Sequence, residues 1–395
     1  MTYLICCTYE VGGLPYRMAE VLNGKGVKTL YMSLAEKTYG HDSTAFHHEQ
    51  PTPAWDLTGQ IGMRAWLRRS DLIRLLSRIR KEYQIEGCLA TGTESYLLRK
   101  AGFHYKYWSY GSDLDQFCFS PIWPRGYPSW KKPILYAVFL LGQRRKARST
   151  INCADAVMIS SYQHETLEKL FPGKPLFFLP HVVKTPDIGL LERERLRCHE
   201  ELCRDLGAES FFFSPVRHFW AGSNKSLKDN KANDVILKAF KQYLKTESDR
   251  GVKLVLVRKG PDVRESQYLA KELGIASRVV WVEEMKRETL NTFYRGATVC
   301  FGQFGTPVLT YVAIEAMANA CACITHTGKV DPRVPFYPEP PPVLSTNNPD
   351  EIAVLTKMLV TDKSYHQEVS RSLWSWVNEN CSEDRFVEAF LHTFA

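Results

Sequence analysis

At 395 residues, 44% hydrophobic, 24% charged and 12% aromatic, the chain has the make-up of a globular protein of two ordinary domains. Its 11 cysteines include no CxxC pair and no His/Cys cluster at zinc spacing, which argues against a disulfide scaffold or a structural metal and for a reducing cytosol. The net charge of +8 lies in the first half: residues 1–180 hold 23 Lys+Arg against 15 Asp+Glu, and the remainder is neutral. Such asymmetry points to one half facing an anionic partner, whether membrane, nucleic acid or acidic substrate.

The opening MTYLICCTYEVGG lacks a basic n-region and a long apolar run, so it reads as a first strand rather than a signal peptide. Nowhere does an apolar run reach the length that spans a bilayer. After the strand TYLICC, GGLPYRMAEVLNGKG predicts a Gly-rich turn, a helix and a Gly stop, followed by a second strand in VKTLYMSL. Residues 63–83 predict a basic amphipathic helix. IEGCLATG, HYKYWSYG and AVMIS predict further strands, and FFLP-like text at 176–180 another. Residues 183–210 are charged with little apolar periodicity and predict a linker with a short helix.

A second alternation then begins at FFFSPV. It continues through NDVILKAFKQYLKT, KLVLVRKG, ESQYLAKELG, RVVWVE, RETLNTFYRGA, TVCFGQ, the helix bearing Glu315, and ACITHTG. A Pro-rich loop, FYPEPPPVL, precedes PDEIAVLTKMLV and a C-terminal pair of helices. The fold class expected is α/β, two doubly wound Rossmann-like domains facing a cleft, with the C-terminal helices returning to the first. The expected boundaries are 1–183 for the first domain, 184–210 for a linker, 211–372 for the second domain and 373–395 for the C-terminal helices.

Glu315 is the most informative residue of the second half. A lone carboxylate among small residues at a helix start is costly to bury unless it binds something. The same helix start offers free N–H groups to a phosphate, so the pair reads as a nucleotide site with the acid on ribose hydroxyls. The plainer alternative is an ordinary helix start with an acid complementing the dipole.

The ordered set of motifs resembles the GT-B glycosyltransferases, specifically the family-4-type retaining enzymes, over nearly the whole chain. Gly12 and Gly13 match the Gly-rich turn after the first strand, which in the family approaches the donor phosphates and the acceptor. YGSDL at 110–114 matches a strand end in which the family has HGSDL. SPVRHFW with KANDVILKAF matches the pattern in which an Arg and a Lys grip the diphosphate. LVLVRKG, RVVWVEEMKRETLNTFYRGATV and IEAMANACACI follow in the family's order.

The resemblance implies donor binding by Arg217, Lys231 and Glu315 with Gly305 and Thr306, and an acceptor-side or phosphate loop at Gly12 and Gly13. It implies catalytic roles for Asp113 and Tyr110, no enzymic base and no metal. The donor is expected to be UDP- or GDP-linked, and no cofactor is expected. The chain departs from the family where an acid stands eight residues before the ribose-binding Glu: that position is Pro307.

Three further expectations come from the residues themselves. Asp113-Leu114-Asp115 is formally a D-x-D, but the two-domain pattern argues against a metal there. His218, directly after Arg217, could face the phosphates. The helix at 63–83 and the segment 117–148 mix cations with aromatics, which suits docking on the anionic cytoplasmic face of a membrane to reach a glycan or lipid-linked acceptor. The expected location is therefore cytoplasmic and peripheral. No nucleic-acid module is visible. Other functions in play are a catalytically silent GT-B module in a polysaccharide assembly complex and a UDP-sugar epimerase of the same fold.

Overall fold

A computed structural model describes residues 1–7, 13–34, 53–58, 69–109, 132–160, 163–222, 230–246, 251–328, 337 and 339–395, without the side chains of 132–140. The chain divides into two compact units, Met1–Val182 with Phe386–Ala395, and Val183–Arg385.

Among the described residues of the first unit, five parallel strands lie in the order β2-β1-β3-β4-β5. They are β1 (Thr2–Cys7), β2 (Thr29–Ser33), β3 (Ile85–Thr91), β4 (Lys106–Trp108) and β5 (Ala156–Met158). All six residues of β1 are buried, the mark of a strand covered on both faces. Leu4 lies opposite Leu30 on one side and Cys88 on the other. From β1 the chain steps to β2 on one side and returns to β3 on the other, so the topological switch lies between β1 and β3.

The helices of this unit are α1 (Leu14–Gly24), α2 (Arg69–Glu82), α3 (Tyr96–Lys100), α4 (Lys132–Cys153) and α5 (His164–Leu170). Residues 176–180, expected as a strand, form only an isolated bridge from Leu176 to Val157. The reason is that no ladder continues beyond it, although Leu179 is buried like a strand residue.

In the second unit six parallel strands run in the order β11-β10-β9-β6-β7-β8. They are β6 (Ser210–Ser214), β7 (Val252–Val257), β8 (Val279–Val282), β9 (Val299–Phe301), β10 (Cys323–Thr325) and the short β11 (Leu344–Ser345). Phe211, Phe212 and Phe213 are fully buried in β6, and Phe213 sits opposite Val255 and Cys300. Here the switch lies between β6 and β9.

Residues 188–206 form α6, a 19-residue helix where the sequence shows little apolar periodicity. The Asp187 side chain caps it by accepting from Leu190 N at 3.0 Å, and Gly207 ends it in the left-handed region. Only Leu191, Cys198 and Cys203 are buried, which is why the pattern is faint. Ion pairs from Glu194 to Arg295 and from Glu192 to Arg371 tie α6 to α9 (Arg287–Gly296) and α12 (Lys363–Cys381).

The other helices are α7 (Asn233–Thr246), α8 (Val263–Glu272), α10 (Tyr311–Ala318), α11 (Pro349–Thr361) and α13 (Glu383–Phe394). From Phe386 onward α13 belongs to the first unit. Phe390 packs edge-on against Tyr3 at 5.2 Å, and the Lys106 ammonium stands over the Phe394 ring at 5.1 Å. A Cβ on Gly87 would lie 2.8 Å from the Tyr3 ring and 2.9 Å from the Phe394 ring, so any larger residue there would displace the rings under this helix.

Candidate functional site

In open α/β sheets, ligands sit beyond the carboxyl ends of the strands, at the switch point. In the second unit that place is bounded by the loop after β6 and the loop after β9. Arg217 lies in the first, three residues past β6, half-buried, with its guanidinium over the Phe219 ring at 5.1 Å. Lys231 opens the segment leading into α7. Its N–H donates to Phe219 O at 2.7 Å, and its carbonyl accepts from Phe304 N at 3.3 Å.

The segment after β9 closes on the same point. A Cβ on Gly305 would lie 2.0 Å from Asn230 O, so backbone meets backbone and only glycine fits. Thr306 is buried, and its hydroxyl donates to Asn230 O at 3.4 Å. Ala232 beside Lys231 is held at φ 51, a left-handed conformation uncommon for alanine and one that tends to mark functional sites. Lys231, Gly305 and Thr306 are thus joined through Asn230 and Phe304, and Arg217 lies over Phe219, the residue whose carbonyl Lys231 N reaches.

Glu315 forms a separate group on α10, the helix into which the 302–310 loop leads. The sequence suggested a helix start at Glu315. The structure corrects this: α10 begins at Tyr311, Thr310 is its extended N-cap, and Glu315 is one turn in. The helix buries residues on all sides, Ala313, Ile314, Ala316, Met317 and Ala318, so no periodicity betrayed where it began.

The Glu315 carboxylate is 14% exposed. It accepts from Tyr294 Oη at 3.3 Å and lies 3.8 Å from the Arg287 guanidinium, both on α9. Burial pushes its acid constant up, while Arg287 and the Tyr294 hydroxyl pull it back down. Arg287 and Tyr294 were not singled out from the sequence. They stand seven apart on one helical face, a spacing that marks a shared face but not what it meets.

His218, expected from its place beside Arg217 to look outward to a ligand, is turned into the fold. Its ring is fully buried, with Nδ1 2.8 Å from Ser266 Oγ and the ring 5.3 Å from that of Trp281. Burial drives its acid constant down to about 4, against the opposing pull of the Val257 carbonyl and the Asp262 carboxylate.

In the first unit, Gly13 precedes α1 with φ 73, a left-handed turn beyond β1 at that sheet's switch point. Gly12, Tyr110, Asp113 and Asp115 lie outside the described residues, as do 63–68 and 117–131. Glu94, beyond β3, pairs with Lys146 of α4. Among the described residues no group of three or more His, Cys, Asp or Glu side chains is placed to hold a metal.

By sequence, no curated protein matches the chain significantly. By structure, it superposes on sucrose-phosphate synthase from Thermosynechococcus elongatus with a TM-score of 0.62 at 14% identity, covering 100% of this chain and 98% of that one. It superposes on Anabaena HepE in complex with UDP and glucose with a TM-score of 0.64 at 13% identity, covering 100% and 99%. For WaaG, a glycosyltransferase involved in lipopolysaccharide biosynthesis, the TM-score is 0.61 at 12% identity, covering 99% and 98%. At such identities these likenesses establish the GT-B fold. Residues 220–334 match the family model of the glycosyl transferases group 1.

The chain has the GT-B fold and carries a glycosyl transferases group 1 region within its second unit. The matched region contains Lys231, Gly305, Thr306 and Glu315, and begins three residues after Arg217. No helix among the described residues is long and apolar enough to cross a membrane.

Proposed function

We propose that this glycosyltransferase moves a sugar from a UDP- or GDP-linked donor to a surface-polysaccharide or glycolipid acceptor, with retention, as a family-4-type enzyme. The observation that carries the reading is the set of contacts joining Lys231 to the Gly305–Thr306 backbone at the switch point of the second sheet, with Arg217 over Phe219, the residue whose carbonyl Lys231 N reaches. Sugar transfer leaves a diphosphate, and its developing charge is the main thing the protein must stabilise. Arg217 brings a planar, permanently charged fork and Lys231 a point charge, so the reading assigns neutralisation to them without a metal.

Gly305 lets a ligand approach the backbone, and Glu315 accepts from the ribose diol. HepE, which shares the fold, has been seen with UDP and glucose, and WaaG acts in lipopolysaccharide biosynthesis. Asp113, Tyr110 and the Gly12–Gly13 turn are the acceptor-side assignments. The exposed cations of α2 and α4 are the assigned contact with an anionic membrane on its cytoplasmic side.

A thermal-shift panel of UDP, GDP, ADP and their sugars, with and without a chelator, tests the donor site. One nucleotide should raise Tm by several degrees regardless of chelator, and Arg217→Ala and Glu315→Ala should each abolish most of that shift. A shift that survives both substitutions refutes the site. Pro307 supports a second reading, a catalytically silent module, because the position where the family keeps an acid is filled by a ring packed on Gly328. Product analysis separates transfer, epimerisation and silence.

A further inference from the structure

The loop after β6 has no regular structure, yet every backbone N–H from His218 to Ala221 is taken. His218 N donates to Lys259 O at 2.6 Å, and Phe219 N to Asn233 Oδ1 at 3.2 Å. Trp220 N and Ala221 N both donate to one oxygen, Asp262 Oδ2, at 2.6 and 2.9 Å. The Trp220 indole N–H reaches Ser266 Oγ at 2.7 Å. Two successive N–H groups converging on one oxygen make an anion cradle, and here the anion is built in.

Asp262 sits where an N-cap of α8 belongs, but its side chain makes no cap bond to its own helix. An Asp at that position ordinarily accepts from the first turn of its own helix. This one is turned away to the neighbouring loop and is buried there. Its own N–H donates back to His218 O at 3.2 Å, and Gly260, at φ 104, brings the turn within 2.4 Å of that carbonyl for any added Cβ. The turn after β7 is therefore shaped around the loop that carries Arg217.

We propose that Asp262 is a positioning residue: by clamping the N–H groups of Trp220 and Ala221 it presets the Arg217 loop for the nucleotide-sugar diphosphate. The inference rests on the donor reading of Arg217. Free of the clamp, the loop would have to be ordered at the moment of binding, and that loss of conformational freedom would be subtracted from the affinity.

Asp262→Ala, Asp262→Ser and Asp262→Asn are compared with the unsubstituted chain by calorimetric titration with whichever of UDP, GDP or ADP stabilises it most, and by Tm without nucleotide. Serine can cap α8 but is too short to reach the loop, so it separates the clamp from helix capping. Asparagine keeps an acceptor oxygen at the same reach. Alanine and serine should weaken nucleotide binding on the order of tenfold, with asparagine recovering most of it. Should alanine fail to fold, serine carries the test.

If serine binds like the unsubstituted chain, or asparagine binds as poorly as serine, the clamp is overturned while the donor site stands. If no nucleotide binds the unsubstituted chain, the donor reading falls and the clamp falls with it.

Discussion

Glu315 is half of an arrangement whose other half lies about a helix away in sequence. A carboxylate this buried stays a useful acceptor only if something favours its ionised form, and Arg287 at 3.8 Å with the Tyr294 hydroxyl does so. Glu315 stood out in the sequence among its small, apolar neighbours; its partners did not, because nothing local links positions 287 and 315. His218 shows the reverse. Adjacency to Arg217 pointed toward the phosphates, but successive residues of an extended loop face opposite ways and the imidazole turns inward onto Ser266. The buried ring resists protonation down to about pH 4, whereas an unfolded chain takes the proton near pH 6.5. Between those values the unfolded state binds more protons, so the ring's contribution to stability is complete above the upper value and drains away as pH falls toward the lower. From pH 7 to 4.5 the wild type should lose about 2 kcal/mol more than His218→Leu in urea titrations. Equal losses would show that the ring is protonated in the native state.

At the scale of elements, the βα alternation was readable because parallel strands buried on both faces appear as unbroken apolar runs, such as TYLICC and SFFFS. Two elements were misread for opposite reasons. Helix α6 buries too few residues to show a period, and α10 buries too many. The basic helix at 63–83 is described from Arg69, and its apolar residues Leu75, Leu76 and Ile79 face the first core while Arg69, Arg74, Arg78 and Lys81 stay exposed. Its hydrophobic stripe is thus spent on the fold, and only its charge is left for a partner. Helix α13 is the element whose loss is easiest to read. Phe386 and Phe390 are fully buried, and the latter meets Tyr3 of β1. Phe390→Ala should cost about 3–5 kcal/mol in the unit built on β1, measured by urea titration. A change below about 1 kcal/mol would mean that α13 contributes little to that core.

Over the whole molecule, composition and charge had already narrowed the function. The excess of basic residues belongs to residues 1–180, and the structure leaves Arg145 and Arg148 of α4 exposed in the same unit as the cations of α2. If that unit meets an anionic membrane through charge alone, the protein should float with anionic liposomes in low salt and be released near 1 M salt, where the Debye length is about 3 Å. No flotation, or flotation indifferent to salt, would remove the membrane from the picture. The sequence by itself determined the two α/β domains, their order of strands and helices, and the residues at strand ends, because burial on both faces and glycine at tight turns leave a local imprint. Only the tertiary structure decided which strand ends adjoin. Placing β6 beside β9 is what brings the segment of Asn230 and Lys231 against Phe304 and Gly305, and packing α9 on α10 is what sets Arg287 beside Glu315. Long-range backbone contacts such as the clamp of Asp262 on Trp220 and Ala221 carry no local signal, since an aspartate after a Gly-Pro reads as a helix cap until the loop it holds is in view.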